Sequence, residues 1–274
     1  MQNERHTSNT TLAVLFMAVA LSACGGGGGS SAPAPAPAPG PAPAPAPAGA
    51  KAEGYYQGTI NAAAAPNFDM AVLEDDSYWA IYRGTTSTAY IAGFVQGQGL
   101  SGTGGVFISA NALDFGSRPP IGATLNATYT TAMSIAGTFT ATAGSGTLQF
   151  TGAVPATSAY NYNTAASNTA VVGTWNVGIT PGEASTLTVN SAGSFTGTAV
   201  SVGGCTFTGT IVPRPSGKNI FNVTLTMGAA PCRLPNYVGS GIGVTYKLSS
   251  GEPQLVMTTV DSGRTLGVMA SGHR

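Results

Sequence analysis

Charged residues are scarce in this chain of 274 residues, since Asp, Glu, Lys and Arg together make up 7% of it. A typical soluble domain has about 25%. A protein that binds DNA or RNA needs clustered Lys and Arg to neutralise phosphates. The composition therefore argues against a nucleic-acid partner, and Thr, Ser, Asn, Gly and Ala are left to form the surface.

Histidine is scarcer still, with His6 and His273 close to the two ends of the chain. A zinc site built on imidazoles and a Ser-His-Asp triad both need histidine inside the folded domain. The sequence also lacks a Gly-x-Ser-x-Gly elbow and a phosphate-binding Gly-x-x-x-x-Gly-Lys loop. We therefore expect no catalytic residue, no metal site and no cofactor, and a protein that is not an enzyme.

Three of the ten acidic residues, Glu74, Asp75 and Asp76, are adjacent in the sequence, with Asp69 nearby and Asp114 further on. A glycosidase needs two carboxylates that flank one bond, and adjacent residues of a tight turn are poorly placed for that. Calcium binds oxygen atoms of loops, but this spacing fits no calcium-binding loop. We interpret the cluster as the solvated tip of a hairpin.

The balance of charge differs between the two halves of the chain. Residues 53–154 contain six acidic and two basic residues, whereas residues 173–274 contain three acidic and six basic ones. The two halves could attract each other, or the charges could simply be scattered over loops.

A short apolar segment, residues 12–21, follows Arg5 near the start of the chain. A helix that crosses a bilayer needs about 20 apolar residues, so this segment is too short to be a membrane anchor. Its length and its basic flank are those of a secretory signal peptide. It ends in Leu21, Ser22, Ala23 and Cys24.

These last four residues resemble the lipobox of bacterial lipoproteins, which a signal peptidase II type enzyme cuts before the cysteine. The resemblance implies that residues 1–23 are removed and that Cys24 carries diacylglycerol, with palmitate or a similar acyl chain on its amino group. Two or three acyl chains give stable attachment to a membrane. Gly25 stands where an Asp would retain such a protein in the inner membrane, so the resemblance implies the outer membrane, on either its surface or its periplasmic face.

Residues 24–52 have the composition of a spacer. Five glycines and two serines follow Cys24, and Ala and Pro alternate from Ala32 to Ala48. We predict a disordered joint followed by a semi-rigid polyproline II rod of roughly 50 Å. A ligand for proline-binding domains is the alternative, but no basic residue lies within the repeat or directly next to it.

From Glu53 onward, apolar or small residues alternate with polar ones. This alternation predicts antiparallel strands with one buried and one solvent-exposed face. No segment there keeps a helical period, so we predict an all-β fold. The alternating stretches are residues 77–82, 105–109, 123–129, 147–150, 194–200, 205–211 and 221–227.

The β region contains a faint internal repeat. Gly54-Tyr-Tyr matches Gly173-Thr-Trp, and a turn and a Phe-bearing strand follow each at similar distances, with Phe94 and Phe207. We predict β units at residues 53–156 and 171–274, joined by a connector at 157–170, with five or six strands each. They would form two small barrels or sandwiches, or two halves of a larger barrel.

The second unit opens with Gly173, Trp175, Leu187 and Phe195 at spacings that resemble the first hairpin of avidin-like and lipocalin-like barrels. The resemblance implies that Trp175 closes the floor of a barrel. In layout alone, the chain is also similar to surface lipoproteins of Gram-negative bacteria that display barrels on glycine-rich leaders.

Cys205 and Cys232 remain once Cys24 is assigned to lipid. An exported protein meets an oxidising compartment, so we predict a disulfide between them, with two free thiols as the alternative.

The aromatic residues are candidates for a binding patch. They are Trp79, Tyr82, Tyr90 and Phe94 in the first unit and Tyr160 and Tyr162 in the connector. Alternation places Trp79 and Ile81 on one face of a strand and Tyr78 and Tyr82 on the other, so one of these sets is expected to be core.

The sequence leads to two hypotheses. The first is a non-enzymatic outer-membrane lipoprotein whose β domain binds a partner or has a structural role. The second is a carrier whose barrel encloses a small apolar or sugar-like molecule. Closed barrel halves with an empty calyx would favour the carrier, and packed interiors with a flat exposed face would favour the interaction protein.

Overall fold

The computed structural model describes residues 50–84, 91–143, 146–157, 160–180, 182–248 and 250–274. The lipobox, the Ala-Pro segment and Tyr90 lie outside the described residues. The regular structure is almost entirely β-strand, with one short 3₁₀ turn at Asn168–Ala170 in the described part. The prediction of an all-β fold is confirmed.

The first barrel is built from nine strands. They are β1 (Gly54–Ile60), β2 (Asn67–Val72), β3 (Ser77–Arg83), β4 (Ile91–Gln98), β5 (Leu100–Gly102), β6 (Val106–Asp114), β7 (Ile121–Thr130), β8 (Ser134–Ala141) and β9 (Thr147–Ala153). All neighbours are antiparallel, β1 pairs with β9, and β4 pairs with β6 through Val95 and Asp114. Because β5 continues β4 after Gly99 and also pairs with β6, the two act as one strand of a closed eight-stranded barrel.

The second barrel is a simple antiparallel meander. It consists of β10 (Gly173–Ile179), β11 (Glu183–Val189), β12 (Ser194–Ala199), β13 (Thr206–Pro213), β14 (Phe221–Met227), β15 (Val238–Lys247), β16 (Pro253–Val260) and β17 (Gly267–His273). Each strand pairs with the next, and β10 pairs with β17 to close the barrel. The structure thus selects two separate barrels from the architectures that the sequence left open.

Three apolar clusters hold the molecule together. One fills the second barrel around Trp175, Leu187 and Phe207, and one lies inside the first barrel around Tyr56 and Phe107. The third, which we call the inter-barrel cluster, joins the outer faces of both barrels. Its buried members are Tyr55, Ala71, Leu73, Trp79, Ile81, Ile91, Phe94, Tyr160, Tyr162, Ile220, Ile242, Val244, Val256, Val260 and Met269.

The expected number of strands is wrong, because each barrel has eight rather than five or six. Among the strands that the pattern missed are β2 and β16, in which nearly every residue is buried. A strand that is covered on both faces loses the alternation of apolar and polar residues. The inter-barrel cluster covers their outer faces, and this contact between distant residues leaves no periodic signal.

Polar contacts between the halves surround the inter-barrel cluster. Arg214 binds Glu74 at 2.8 Å and Asp75 at 3.1 Å. Arg264 donates to the side-chain oxygen of Gln96 at 2.7 Å and to the carbonyl of Asn111 at 2.7 Å. The acidic first half and the basic second half therefore do meet through specific pairs.

Candidate functional site

The first barrel contains an apolar cavity of about 170 Å³. It lies toward the end of the barrel at which β1, β3, β6 and β8 finish and β2, β4, β7 and β9 begin, which we call the open end. Residues in the middle and at this end of the strands form its wall. Among them are Phe68, Met70, Val95, Leu125, Phe139 and Phe150.

Residual exposure of inward-facing side chains shows that this end is accessible. Ile60, Ala80 and Phe139 pack against the interior cluster of the first barrel but are only partly buried. In a filled barrel, such residues would be covered by neighbours. As far as the described residues extend, the first barrel is therefore incompletely packed at its open end.

One pair of polar side chains lies on the cavity wall. The hydroxyl of Tyr82, near the end of β3, donates to Oδ1 of Asp114 at 2.7 Å, and the backbone N–H of Gly116 donates to the same oxygen at 2.8 Å. Burial and the neighbouring carboxylate raise the pKa of Tyr82 well above its ordinary value. The phenol therefore stays protonated and continues to donate its hydrogen bond to Asp114.

The opposite end of the first barrel is closed by the segment that precedes β1. Ala52 is fully buried, its N–H donates to Oγ of Ser101 at 2.9 Å, and its carbonyl accepts from the Tyr56 hydroxyl at 2.9 Å. Tyr129 donates to the carbonyl of Ala50 at 2.6 Å. The cavity therefore has a floor as well as an opening.

The second barrel has the same kind of floor. Trp175 is fully buried, and its indole N–H donates to the carbonyl of Val171 at 2.7 Å. Val171 precedes Trp175 by four residues, as Ala52 precedes Tyr56. The two aromatic residues occupy matching places in the internal repeat and close their barrels in the same way.

The end of the second barrel that corresponds to the open end is filled. The β14–β15 connection, residues 228–237, places Cys232 and Tyr237 in the interior cluster. A disulfide joins Cys232 to Cys205, which confirms the predicted pair. Glu183, 1% exposed, accepts a hydrogen bond from the backbone N–H of Arg233 at 2.9 Å and holds the same loop.

The matching connection of the first barrel, residues 115–120, leads away from the cavity. The ring of Phe115 stacks on Phe94 with centroids 4.9 Å apart and packs against the inter-barrel cluster. A loop of six residues that is used in this contact does not fill the barrel. Within the described residues, the loop that fills the second barrel therefore has no counterpart that fills the first.

The aromatic residues that the sequence suggested as an exposed patch are mostly buried. Trp79, Phe94, Tyr160 and Tyr162 all belong to the inter-barrel cluster, where they join the barrels instead of facing solvent. Tyr78 is also fully buried but points into the first barrel, so both faces of β3 are core. Of the described members of the suggested set, Tyr82 reaches the cavity.

Glu74, Asp75 and Asp76 form the predicted hairpin tip between β2 and β3, but the tip is only partly solvated. Glu74 and Asp75 bind Arg214 of the second barrel. Asp76 is 7% exposed and accepts from the Ser101 hydroxyl at 2.7 Å. The hairpin is an attachment point between the barrels, and adjacent residues carry no sign of the distant arginine.

Other side chains considered for chemistry lie apart. His273 is exposed at the end of β17. Among the described residues, no three His, Cys, Asp or Glu side chains come together in a way that could hold a metal ion. Within the same residues, no helix is long and apolar enough to cross a membrane.

Sequence reasoning did not find the cavity. Tyr82 and Asp114 are 32 residues apart, and each was noted only as one aromatic or acidic residue among several. The apolar residues of the wall follow the ordinary pattern of a core. Nothing local distinguishes a barrel that is filled from one that is not.

No family of proteins and no curated protein matches this chain.

Proposed function

We propose that the chain is a non-enzymatic outer-membrane lipoprotein whose first barrel binds a small apolar molecule. The observation that carries this proposal is the cavity of about 170 Å³ at the open end, where the second barrel is filled by its own loop. An apolar cavity on the order of 150 Å³ stays dry and takes a benzene-sized group. The second barrel supports the first through the inter-barrel cluster.

Filling the cavity tests this proposal. Toluene should bind the full chain and shift NMR signals of residues on the cavity wall. Ala80→Phe places a ring in the cavity and should abolish these shifts, whereas Ala192→Phe, in an exposed turn of the second barrel, should leave them unchanged. Toluene shifts that persist in Ala80→Phe, or that never occur in the native chain, would contradict carriage by the first barrel.

The anchor is a separate part of the proposal and rests on the lipobox resemblance of residues 21–24. Lipid on Cys24 would tether the barrels, and the spacer would hold them away from the headgroups. Cys24→Ser should release the protein from membranes, and globomycin should cause the lipidated precursor to accumulate. Membrane fractionation of Cys24→Ser unchanged from the native chain would rule out a lipid anchor on this residue.

Partner binding is the second candidate, and one apolar patch favours it. Leu100, Val106 and Ile108 are 61%, 41% and 44% exposed and lie on one outer face of β5 and β6, with Leu100 directly opposite Ile108. A photo-reactive residue at Val106 should then crosslink to a partner in intact cells, and Ile108→Lys should weaken the crosslink. A crosslink insensitive to Ile108→Lys would argue against this patch.

A further inference from the structure

The wall of the cavity carries a single charged group. Of the described residues that line it, Asp114 is the only Asp, Glu, Lys, Arg or His, and the others are apolar apart from Tyr78 and Tyr82. No Lys or Arg of the described residues lies within 4.0 Å of its carboxylate. A molecule in the cavity therefore meets a carboxylate that is not paired with a Lys or Arg of the described residues.

The position of this carboxylate is well defined. Both described hydrogen bonds to it, from the Tyr82 hydroxyl and the Gly116 N–H, end on Oδ1. A Cβ at Gly93 would lie 2.2 Å from the Tyr82 hydroxyl oxygen, and a Cβ at Gly116 would lie 1.8 Å from it. The absence of a side chain at these two glycines thus leaves the space that the Tyr82 hydroxyl occupies when it donates to Asp114.

The carboxylate keeps acceptor capacity for a ligand. An ionised carboxylate offers about four lone-pair sites on its two oxygens, and Oδ2 receives no hydrogen bond from the described residues. In a partly buried, apolar setting, a cationic donor on such an oxygen is favoured and a second carboxylate is repelled. The charge therefore discriminates between ligand head groups.

We propose that the first barrel takes a small amine, with an aromatic or short alkyl body in the cavity and an ammonium group on Asp114. This inference rests on the proposed function, since it names the class of ligand for the same cavity. The apolar wall supplies affinity for the aromatic or alkyl group of the ligand. Asp114 favours an ammonium group over a neutral or negatively charged one.

A size-matched series of probes tests the inference. Toluene, benzylamine, benzyl alcohol and benzoate share one ring and differ in the head group. Titration of the full chain, carrying Cys24→Ser so that no detergent is needed, should show benzylamine binding about tenfold or more tightly than toluene and benzyl alcohol. Benzoate should bind more weakly than toluene.

Asp114→Asn is the decisive variant, because its side-chain oxygen still accepts from Tyr82 and Gly116 while the charge is lost. It should lower the affinity for benzylamine to that for toluene, and it should leave the affinity for toluene unchanged. Glu252→Gln removes a charge from an exposed turn of the second barrel. It should change neither the affinity for benzylamine nor the affinity for toluene. If Asp114→Asn does not fold, the order of the four probes on the native chain still decides.

The outcomes separate the two proposals. Toluene or benzoate binding as tightly as benzylamine, or an unchanged benzylamine affinity in Asp114→Asn, would overturn the amine while leaving the carrier intact. If none of the four probes binds the native chain, both proposals fail.

Discussion

At the scale of single residues, the barrels depend on glycines that face aromatic rings. Gly197 is opposite Phe207 across β12 and β13, and Phe195 is opposite Gly209 in the same pair of strands. Each ring lies over the glycine of the neighbouring strand, in the space where a side chain would stand. This arrangement lets large rings fill the narrow interior without forcing the strands apart.

Adding one methyl group tests this arrangement. A Cβ at residue 197 would lie 2.0 Å from the Phe207 ring, so Gly197→Ala should lower the free energy of unfolding by about 1–3 kcal/mol in urea. Gly203→Ala is the control, since nothing lies within 4 Å of its added Cβ. Equal effects of the two substitutions would show that the ring contact does not matter.

Buried tyrosines predict a loss of stability at alkaline pH. Burial raises the pKa of Tyr56, Tyr78 and Tyr237 from 10.0 to about 12. Because the folded state favours the neutral phenol, their contribution is fully present below pH 10 and is lost as the pH rises through 12.

Tyrosinate absorbance and circular dichroism, followed together from pH 9 to pH 13, measure this loss. The late part of the ionisation should coincide with the loss of β structure. If all tyrosines titrate near pH 10 while the fold persists, the phenols are not buried as described.

At the scale of elements, two corresponding loops differ in whether they enter their barrel. Residues 228–237 enter the second barrel and are held there by Cys232 and by Glu183, whereas residues 115–120 pack against the inter-barrel cluster. The strands around them are equivalent in number and order. The difference in function that we propose thus lies in connections and not in the sheets.

Removing the disulfide tests the role of the longer loop. Cys205 and Cys232 are 27 residues apart, and the entropic model predicts a loss of about 3–4 kcal/mol for Cys205→Ser with Cys232→Ser. Urea unfolding should show this loss, and hydrogen exchange should rise in residues 228–237. Toluene binding by the first barrel should not change, and its disappearance would mean that the loop affects both barrels.

At the scale of the whole molecule, the inter-barrel cluster makes two barrels into one body. Tyr55, Trp79 and Phe94 from one side meet Val256 and Met269 from the other. An ion pair between Asp69 and Arg83 lies among them, and the Arg83 guanidinium is 5.3 Å from the centre of the Tyr246 ring. Such a large shared core should couple the unfolding of the two barrels.

A charge placed in the shared core tests this coupling. Ile242 is 4% exposed in the inter-barrel cluster, and Ile242→Asp would bury an unpaired carboxylate there. Calorimetry should show one transition for the native chain and two for the variant. Thr208→Asp, on an exposed face of the second barrel, should keep one transition, and a single transition in Ile242→Asp would contradict the coupling.

The sequence by itself determined the features that arise from local pattern. Alternation in β12, β13 and β14 predicts strands with one wet face, because each residue's neighbours two positions away share its environment. The match between the segments that begin at Gly54 and at Gly173 indicates two related units. The two remaining cysteines indicate a disulfide. All of these depend on spacing along the chain.

Only the tertiary structure decided the features that join distant residues. The pairing of β4 with β6, the cover over β2 and β16, and the contact of Arg214 with the hairpin of Glu74 all bring together segments that no periodicity relates. The cavity has the same origin. Whether a loop enters a barrel depends on what else that loop contacts, and Phe115 finds its partners on the other barrel.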